Sequence, residues 1–256
     1  MNKRLEDLAS DLEVVITGLT TESEGKGLTH EKIREKIKPH IDRIQELMQD
    51  RFVESGHLEA FLKNVNRRVI LPGHDKEGHP IEYVIDFDIE VTPKGYLEIK
   101  PGARLHFTEQ GGVLCYGVLK AGDPDDARPI TFTAADSAWK NITLAGSFAD
   151  TSYMHHCIIR NGTGRSVVPG RTWFADLNEG KPMGGGLLIV RSSPHIRYCT
   201  FQSNRAQIGS DLFVFGSNAT IELCRFEGGN ERPWQIRDSR ISQANNVVNS
   251  YYRQLE

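Results

Sequence analysis

The chain of 256 residues lacks the features that assign a protein to a membrane or to nucleic acid. It contains no apolar run near the roughly 20 residues that a membrane-spanning helix needs. It also lacks a basic excess, because 31 Lys and Arg stand against 34 Asp and Glu, for a formal net charge of −3. A broad phosphate-binding surface is therefore not expected. We predict neither a membrane nor a nucleic acid as a partner.

The N-terminus lacks the apolar core of a secretion signal. Its first eight residues, Met-Asn-Lys-Arg-Leu-Glu-Asp-Leu, run directly into an acidic amphipathic pattern. The chain as given is therefore predicted to be cytoplasmic.

Three short segments share one pattern around a cysteine, with an apolar residue three positions before it and a large apolar residue two positions after it. The segments are Met154–Ile159, Ile196–Phe201 and Ile221–Phe226. A strand buries every second side chain, so a single strand cannot bury both apolar positions. A corner one residue before the cysteine solves this, and it falls at His156, Tyr198 and Leu223. Since Cys199 and Cys224 are 25 residues apart, each unit has the length of one coil in a solenoid of parallel strands.

The run from Gly184 to Asn204 carries a family resemblance. It reads Gly-Gly-Gly, an apolar strand, Ser-Ser-Pro, an apolar residue, Cys-Thr-Phe and then Asn. It resembles the repeat unit of the right-handed parallel β-helix proteins often called pectin-lyase-like, and the likeness extends over about residues 81 to 230. The resemblance implies a mainly β fold, a right-handed parallel β-helix of about six coils. It selects no function, because the family contains lyases, hydrolases, epimerases, adhesins and inert scaffolds.

The apolar pattern divides the chain into three parts. Residues 1–68 show apolar residues at helical spacing and are predicted to form an N-terminal α-helical extension. Residues 69–230 form the predicted β-helix, and residues 231–256 a C-terminal cap. The polar segment 72–80 is predicted to be a turn, with a metal site among its His and Asp residues as the alternative.

The repeat also bears on the cysteines. Cys157, Cys199 and Cys224 occupy equivalent inward positions, where a small apolar side chain packs well. We predict a ladder of buried thiols. Disulfides and a metal site are the alternatives.

An insertion of 17 residues separates the first cysteine unit from the second, and it defines a loop at residues 164–183. Long loops on a rigid scaffold are often functional. The loop residues predicted to bind a ligand are Arg165, Arg171, Trp173 and Phe174. The candidates for catalysis, for which no reaction is defined, are Arg171, Asp176, Glu179 and Lys181. Asp176 and Glu179 are candidates for the paired carboxylates of glycoside chemistry.

Polar residues on or beside the repeated strands are further candidates. His155 is expected to point outward from its strand. The residues predicted to bind an acidic ligand, or else to pair with neighbouring acidic side chains, are His155, Arg160, Arg197 and Arg205. An outward acidic row is expected at Asp86, Asp88 and Glu90, which alternate with apolar residues. No metal or cofactor is predicted, with calcium on this row as the alternative.

We therefore predict a non-catalytic intracellular binding or scaffold module. It would engage a protein partner through the helical extension and the 164–183 loop. The alternative is an enzyme acting on an acidic polysaccharide (a lyase, hydrolase or epimerase), or a carbohydrate-binding β-helix.

Overall fold

The computed structural model describes residues 58–168, 179–227 and 233–248, and in these ranges the chain is mainly β. One short helix, α1 (Leu58–Leu62), precedes the first strand. The rest of the predicted helical extension, residues 1–57, lies outside the described residues.

In the described ranges, twenty strands follow α1, each short and most with buried residues alternating with less buried ones. This alternation is what a half-buried strand requires, and intervening Gly, Pro, Asn and Ser residues allow tight corners. The strands form three parallel sheets.

Within the described ranges, sheet 1 holds seven strands in the order β1-β4-β7-β10-β13-β16-β19. Their bounds are Arg68–Leu71, Tyr96–Ile99, Val118–Ala121, Tyr153–His155, His195–Arg197, Thr220–Glu222 and Ser242–Ala244. Sheet 2 likewise has seven described strands, β2-β5-β8-β11-β14-β17-β20. Their bounds are Glu82–Ile85, Arg104–Phe107, Ile130–Ala134, Cys157–Arg160, Thr200–Gln202, Arg225–Glu227 and Val247–Val248. Sheet 3 has six described strands, which run from β3 at one edge to β18 at the other. They are β3 (Asp88–Val91), β6 (Gly112–Cys115), β9 (Ile142–Ala145), β12 (Leu187–Val190), β15 (Leu212–Phe215) and β18 (Trp234–Arg237).

Each strand from β1 to β17 pairs in parallel with the strand three places further along the chain, as in β4 with β7 and β7 with β10. The chain therefore passes through the three sheets in turn and climbs by one strand spacing per coil. About six turns of a mainly β parallel solenoid confirm the predicted fold class. The right-handed sense of the coil stays a prediction.

The corners between sheets 1 and 2 lie where the cysteine pattern predicts them. His156, Tyr198 and Leu223 have φ values of 52°, 55° and 56°, in the left-handed region. This conformation turns the chain so that each cysteine and the apolar residue three positions before it both face inward. The expected break in strand periodicity is confirmed.

The interior is built from stacked apolar side chains. Cys157, Cys199 and Cys224 lie in it at 1% exposure or less, as free thiols. Each sulfur donates to a backbone carbonyl, for example from Cys199 Sγ to Arg197 O at 3.2 Å. Burial raises the pKa of Cys199 well above its ordinary value. The predicted thiol ladder is confirmed.

The outer face of sheet 3 is apolar and buried, unlike an ordinary exposed sheet surface. Leu188, Val190 and Phe213 point away from the solenoid interior and are at most 1% exposed. Val168 and Met183, which flank the undescribed residues 169–178, belong to the same apolar cluster. The described ends of the insertion therefore pack against this face.

The sheets continue beyond residue 230, where the sequence predicted the beginning of a C-terminal cap. Strands β18, β19 and β20 pair in parallel with β15, β16 and β17. The solenoid thus reaches at least Val248.

Candidate functional site

The outer face of sheet 1 collects aromatic and charged side chains from successive coils. We define the sheet 1 face by its central members, which are Tyr96, Glu98, Lys120, Tyr153, His155, His195 and Arg197. Strand register stacks Lys120 between Glu98 and Tyr153, and places His155 beside Arg197. From β4 to β16 the face is about 19 Å long, since parallel strands are about 4.8 Å apart.

Lys120 lies between two tyrosine rings. Its Nζ is 5.5 Å from the centroid of Tyr96 and 5.2 Å from that of Tyr153. An ammonium group over an aromatic ring is attracted by the negative electrostatic potential of the ring face. Among the described residues, the carboxylates on the strands of sheet 1, Glu98 and Glu222, pair with other basic side chains, and no ion pair joins a carboxylate to Lys120. The rings thus orient its charge, and no carboxylate in the described part of the chain pairs with it.

Glu98 is occupied by two basic side chains. Arg68 Nη2 donates to its Oε2 at 2.8 Å, and Lys100 Nζ to its Oε1 at 2.5 Å. Burial alone would raise the pKa of Glu98, but the hydrogen bonds from Lys100 and Arg68 outweigh it and lower the pKa. Glu98 therefore stays a carboxylate and does not serve as a proton donor near neutral pH.

His155 is 7% exposed, although its strand directs the side chain outward as expected. Its ring contacts Tyr153 edge to face, with centroids 5.2 Å apart. Nδ1 is buried and has no hydrogen-bond partner. Burial lowers the pKa of His155, and the positive charge of Arg197 adds to this effect. The ring thus has the predicted outward direction but is covered by neighbouring groups.

Arg197 borders the corner between sheets 1 and 2. Its Nε lies 3.1 Å from Glu222 Oε2, and the two side chains form an ion pair. The Nε–H group has no hydrogen-bond partner, because it is not directed at that oxygen. Its guanidinium carbon is 5.4 Å from the Tyr198 ring centroid. Tyr198, 42% exposed, stacks on His156 with ring centroids 4.8 Å apart and planes 2° from parallel. An aromatic stack thus continues the face around the corner.

This arrangement suits an elongated ligand that carries both ring faces and negative charge. Tyrosine rings offer flat apolar surface, while Lys120 attracts anions. These side chains extend from rigid strands, which hold their positions better than loops do.

The candidate residues of the insertion are only partly within the described residues. Arg171, Trp173, Phe174 and Asp176 lie outside the described residues. Glu179 and Lys181 form an ion pair with each other, and this pair lowers the pKa of Glu179. Arg165 is 7% exposed and binds Asp88 through both terminal nitrogens, at 3.0 and 2.8 Å. Arg165 therefore serves an internal ion pair.

The four binding candidates outside the loop do not share one face. His155 and Arg197 meet on sheet 1. Arg160 lies on sheet 2 and donates from Nε to Thr133 Oγ1 at 3.1 Å, and Arg205 is an exposed residue after β14. The structure therefore brings together two of the four.

The acidic row expected at Asp86, Asp88 and Glu90 is interrupted after its first member. The chain turns at Asp86 and Phe87, so Asp86 lies between sheets while Asp88 and Glu90 belong to β3. Asp88 is bound by Arg165 and by Lys140, whose Nζ is 3.0 Å from Oδ2. These two cations supply the charge that a calcium ion would otherwise provide.

The segment 72–80 contains a polar turn organised by Asp75. Its Oδ1 accepts hydrogen bonds from the backbone N–H groups of Glu77, at 3.0 Å, and His79, at 2.7 Å. The ligand atoms of these three residues lie within 4.8 Å of one another, but all three side chains are exposed. The bonds of Asp75 are those of an ordinary turn.

Sequence reasoning missed Tyr96, Lys120 and Tyr153. Each is an unremarkable strand residue until register is known, and Lys120 and Tyr153 are 33 positions apart. The available signal for an outward direction was that Tyr96 and Lys120 alternate along their strands with buried Leu97 and Leu119.

Comparisons of the chain with protein-family models, with curated proteins and with solved structures find no match. Among the described residues, no helix has both the length and the apolar character needed to cross a membrane.

Proposed function

We propose that this chain is a non-catalytic binding module that holds an acidic polysaccharide along the sheet 1 face. The observation that carries the proposal is Lys120, oriented by Tyr96 and Tyr153 and left without a carboxylate partner in the described part of the chain. Uronic acid units carry a carboxylate on a ring with an apolar face. Lysine and tyrosine recognise these two features.

The geometry favours binding over catalysis. Glu98, the central carboxylate of the face, is held ionised by Arg68 and Lys100. Asp211, whose pKa is raised, is buried at 0% exposure and is therefore out of reach of a polymer. The four thiols are buried as well.

Affinity electrophoresis in gels containing polygalacturonate, alginate or a neutral glucan tests the proposal. We expect retardation by a uronate polymer and none by the neutral one. Lys120→Ala and Tyr153→Ala should each weaken binding roughly tenfold, equivalent to about 1.4 kcal/mol. Lys94→Ala removes the same charge from an exposed turn and should change nothing. Equal binding by all variants would refute this site, and shortening of the polymer would establish an enzyme instead.

A second candidate function is a scaffold that binds a protein through the 164–183 loop and the N-terminal residues. The anchoring of the loop base supports it. Arg165 and Met183 exchange backbone hydrogen bonds of 3.2 Å, and Val168 and Met183 are buried. Affinity capture with residues 169–178 replaced by a Gly-Ser linker tests it, and a partner retained by that variant would contradict the role of the loop.

A further inference from the structure

His155 occupies an unusual place in the sheet 1 face. It is 7% exposed, it lies on the strand next to Lys120, and its Nδ1 has no partner. Buried polar atoms normally have hydrogen bonds, so an unpartnered one at a candidate binding surface calls for an explanation. Because Tyr153 is in register with Lys120, His155 lies diagonally across from Lys120, at roughly 8 Å between Cα atoms.

The groups that act on the charge of His155 are mostly basic. Arg197 and His195 approach from β13, and His156 follows at the corner. Lys120 lies on β7, and Asp123, just beyond β7, is the acidic group that acts on the ring. The carboxylate of Asp123 also accepts a hydrogen bond from the Asp125 backbone at 2.9 Å. Tyr153, on the strand of His155 itself, packs against the ring.

This environment disfavours the imidazolium in the free protein. Burial and the charge of Arg197 lower the pKa of His155, while Asp123 opposes them weakly enough that the net direction is downward. The ring is therefore neutral near pH 7. A negative charge arriving between Lys120 and His155 would reverse the balance.

We infer that His155 takes up a proton when the sheet 1 face binds a carboxylate, so that the ligand is held more tightly in mildly acidic than in neutral solution. The inference rests on the proposed function, since it assigns the position of the ligand carboxylate and the way in which binding is regulated. The carboxylate lies between Lys120 and His155.

Linkage gives the direction and size of the effect. A group whose pKa rises on binding makes the complex tighter below its bound-state pKa, and this gain is lost as pH rises through that value. One unit of pKa difference corresponds to a tenfold change in affinity. We expect affinity for a uronate oligosaccharide to rise roughly three- to tenfold between pH 8 and pH 5.5. Uronate carboxylates stay largely ionised across this range, so the change reports on the protein.

Isothermal titration of the wild-type chain with galacturonate or alginate oligosaccharides tests the inference. Titrations at pH 6.5 in two buffers of different ionisation heat give the number of protons taken up, which we expect to lie between zero and one and to be measurably above zero. His155→Gln should abolish both the uptake and the pH dependence. His79→Gln, at an exposed histidine of the 72–80 turn and outside the sheet 1 face, should preserve both.

The outcomes separate the two proposals. Binding without proton uptake in the wild-type chain, or uptake that persists in a folded His155→Gln variant, would overturn the inference and leave the binding function intact. Absence of binding at every pH would overturn the proposed function itself, and the inference with it. If His155→Gln fails to fold, an NMR titration of the wild-type imidazoles decides. A His155 pKa that does not rise when ligand is added contradicts the inference.

Discussion

Asp211 makes stability depend on pH in a direction opposite to that of most carboxylates. Its side chain is 0% exposed, Oδ1 accepts a hydrogen bond from Asn204 at 2.9 Å, and Oδ2 has no partner. Burial raises its pKa to about 7, and the Asn204 hydrogen bond only partly opposes this. Because the folded pKa lies above the unfolded value of 3.8, the contribution of Asp211 to stability is fully present below pH 4. It is lost as pH rises from 4 to 7.

Asp211→Asn removes this dependence, since the amide is neutral at every pH and retains an oxygen for Asn204. About three pKa units at 1.36 kcal/mol each set an upper bound of about 4 kcal/mol for the gain at pH 8. We expect the variant to be about 2–4 kcal/mol more stable than wild type at pH 8 and only about 1 kcal/mol more stable at pH 4.5, which lies just above the unfolded pKa of 3.8.

Urea unfolding at half-unit steps from pH 4.5 to 8 measures the difference between the two proteins. Other titrating groups cancel in that difference. Asp125→Asn, at an exposed carboxylate, controls for the removal of one negative charge. A difference that is constant over this range, or a variant less stable than wild type at pH 8, would refute the account of Asp211 as a buried and mostly uncompensated acid.

Three further predictions concern packing and internal pairing. Gly122→Ala places a Cβ 2.1 Å from His155 O. Gly78 has nearly the same backbone conformation, with a φ of 86° compared with 88° at Gly122, but a Cβ added there would have no atom within 4 Å. Thermal unfolding should therefore show Gly122→Ala to be at least about 2 kcal/mol less stable than Gly78→Ala, and equal stability would contradict the close approach. Asp88→Asn should cost about 2–4 kcal/mol in urea unfolding at pH 7, because it leaves the buried Arg165 underpaired. Burial would raise the Asp88 pKa, but Arg165 and Lys140 lower it overall, so wild type should lose this contribution only below about pH 4. The four buried thiols should resist an aromatic disulfide reagent in the native protein and all react in urea, and rapid native labelling would contradict their burial.

Much of the fold could be predicted from sequence because its signals are local. The unit Ile196–Phe201 alone shows a period-2 pattern broken by one residue. In the structure this break is the corner at Tyr198, where φ is 55°. The corner at Asp86 and Phe87 was missed because it contains no Gly, Pro, Asn or Ser. Its alternating residues therefore looked like one continuous strand.

The candidate site could not be predicted in the same way, because it depends on register between coils of unequal length. His155 illustrates this. Alternation along its strand gives the outward direction, but the groups that bury it, including Arg197 and Asp123, come from neighbouring coils. The burial of Asp211 could not be predicted for the same reason. In the sequence, Ser210-Asp211 looks like an exposed turn, and only the structure places Asn204 beside Asp211.

The three outer faces differ in ways that bear on where a ligand would bind. The outer face of sheet 3 is apolar and already covered, as Leu188 and Phe213 show. On sheet 2, charged side chains tend to pair with each other, for example Arg104 with Glu82 and Arg225 with Glu227. Sheet 1 differs because Lys120 is oriented by aromatic rings, with no carboxylate paired to it in the described chain, and because it has a buried histidine beside it. An ion pair between protein side chains satisfies both charges at the surface, whereas a cation held by ring faces keeps its attraction for an external anion. This difference is the physical reason for assigning the ligand to sheet 1.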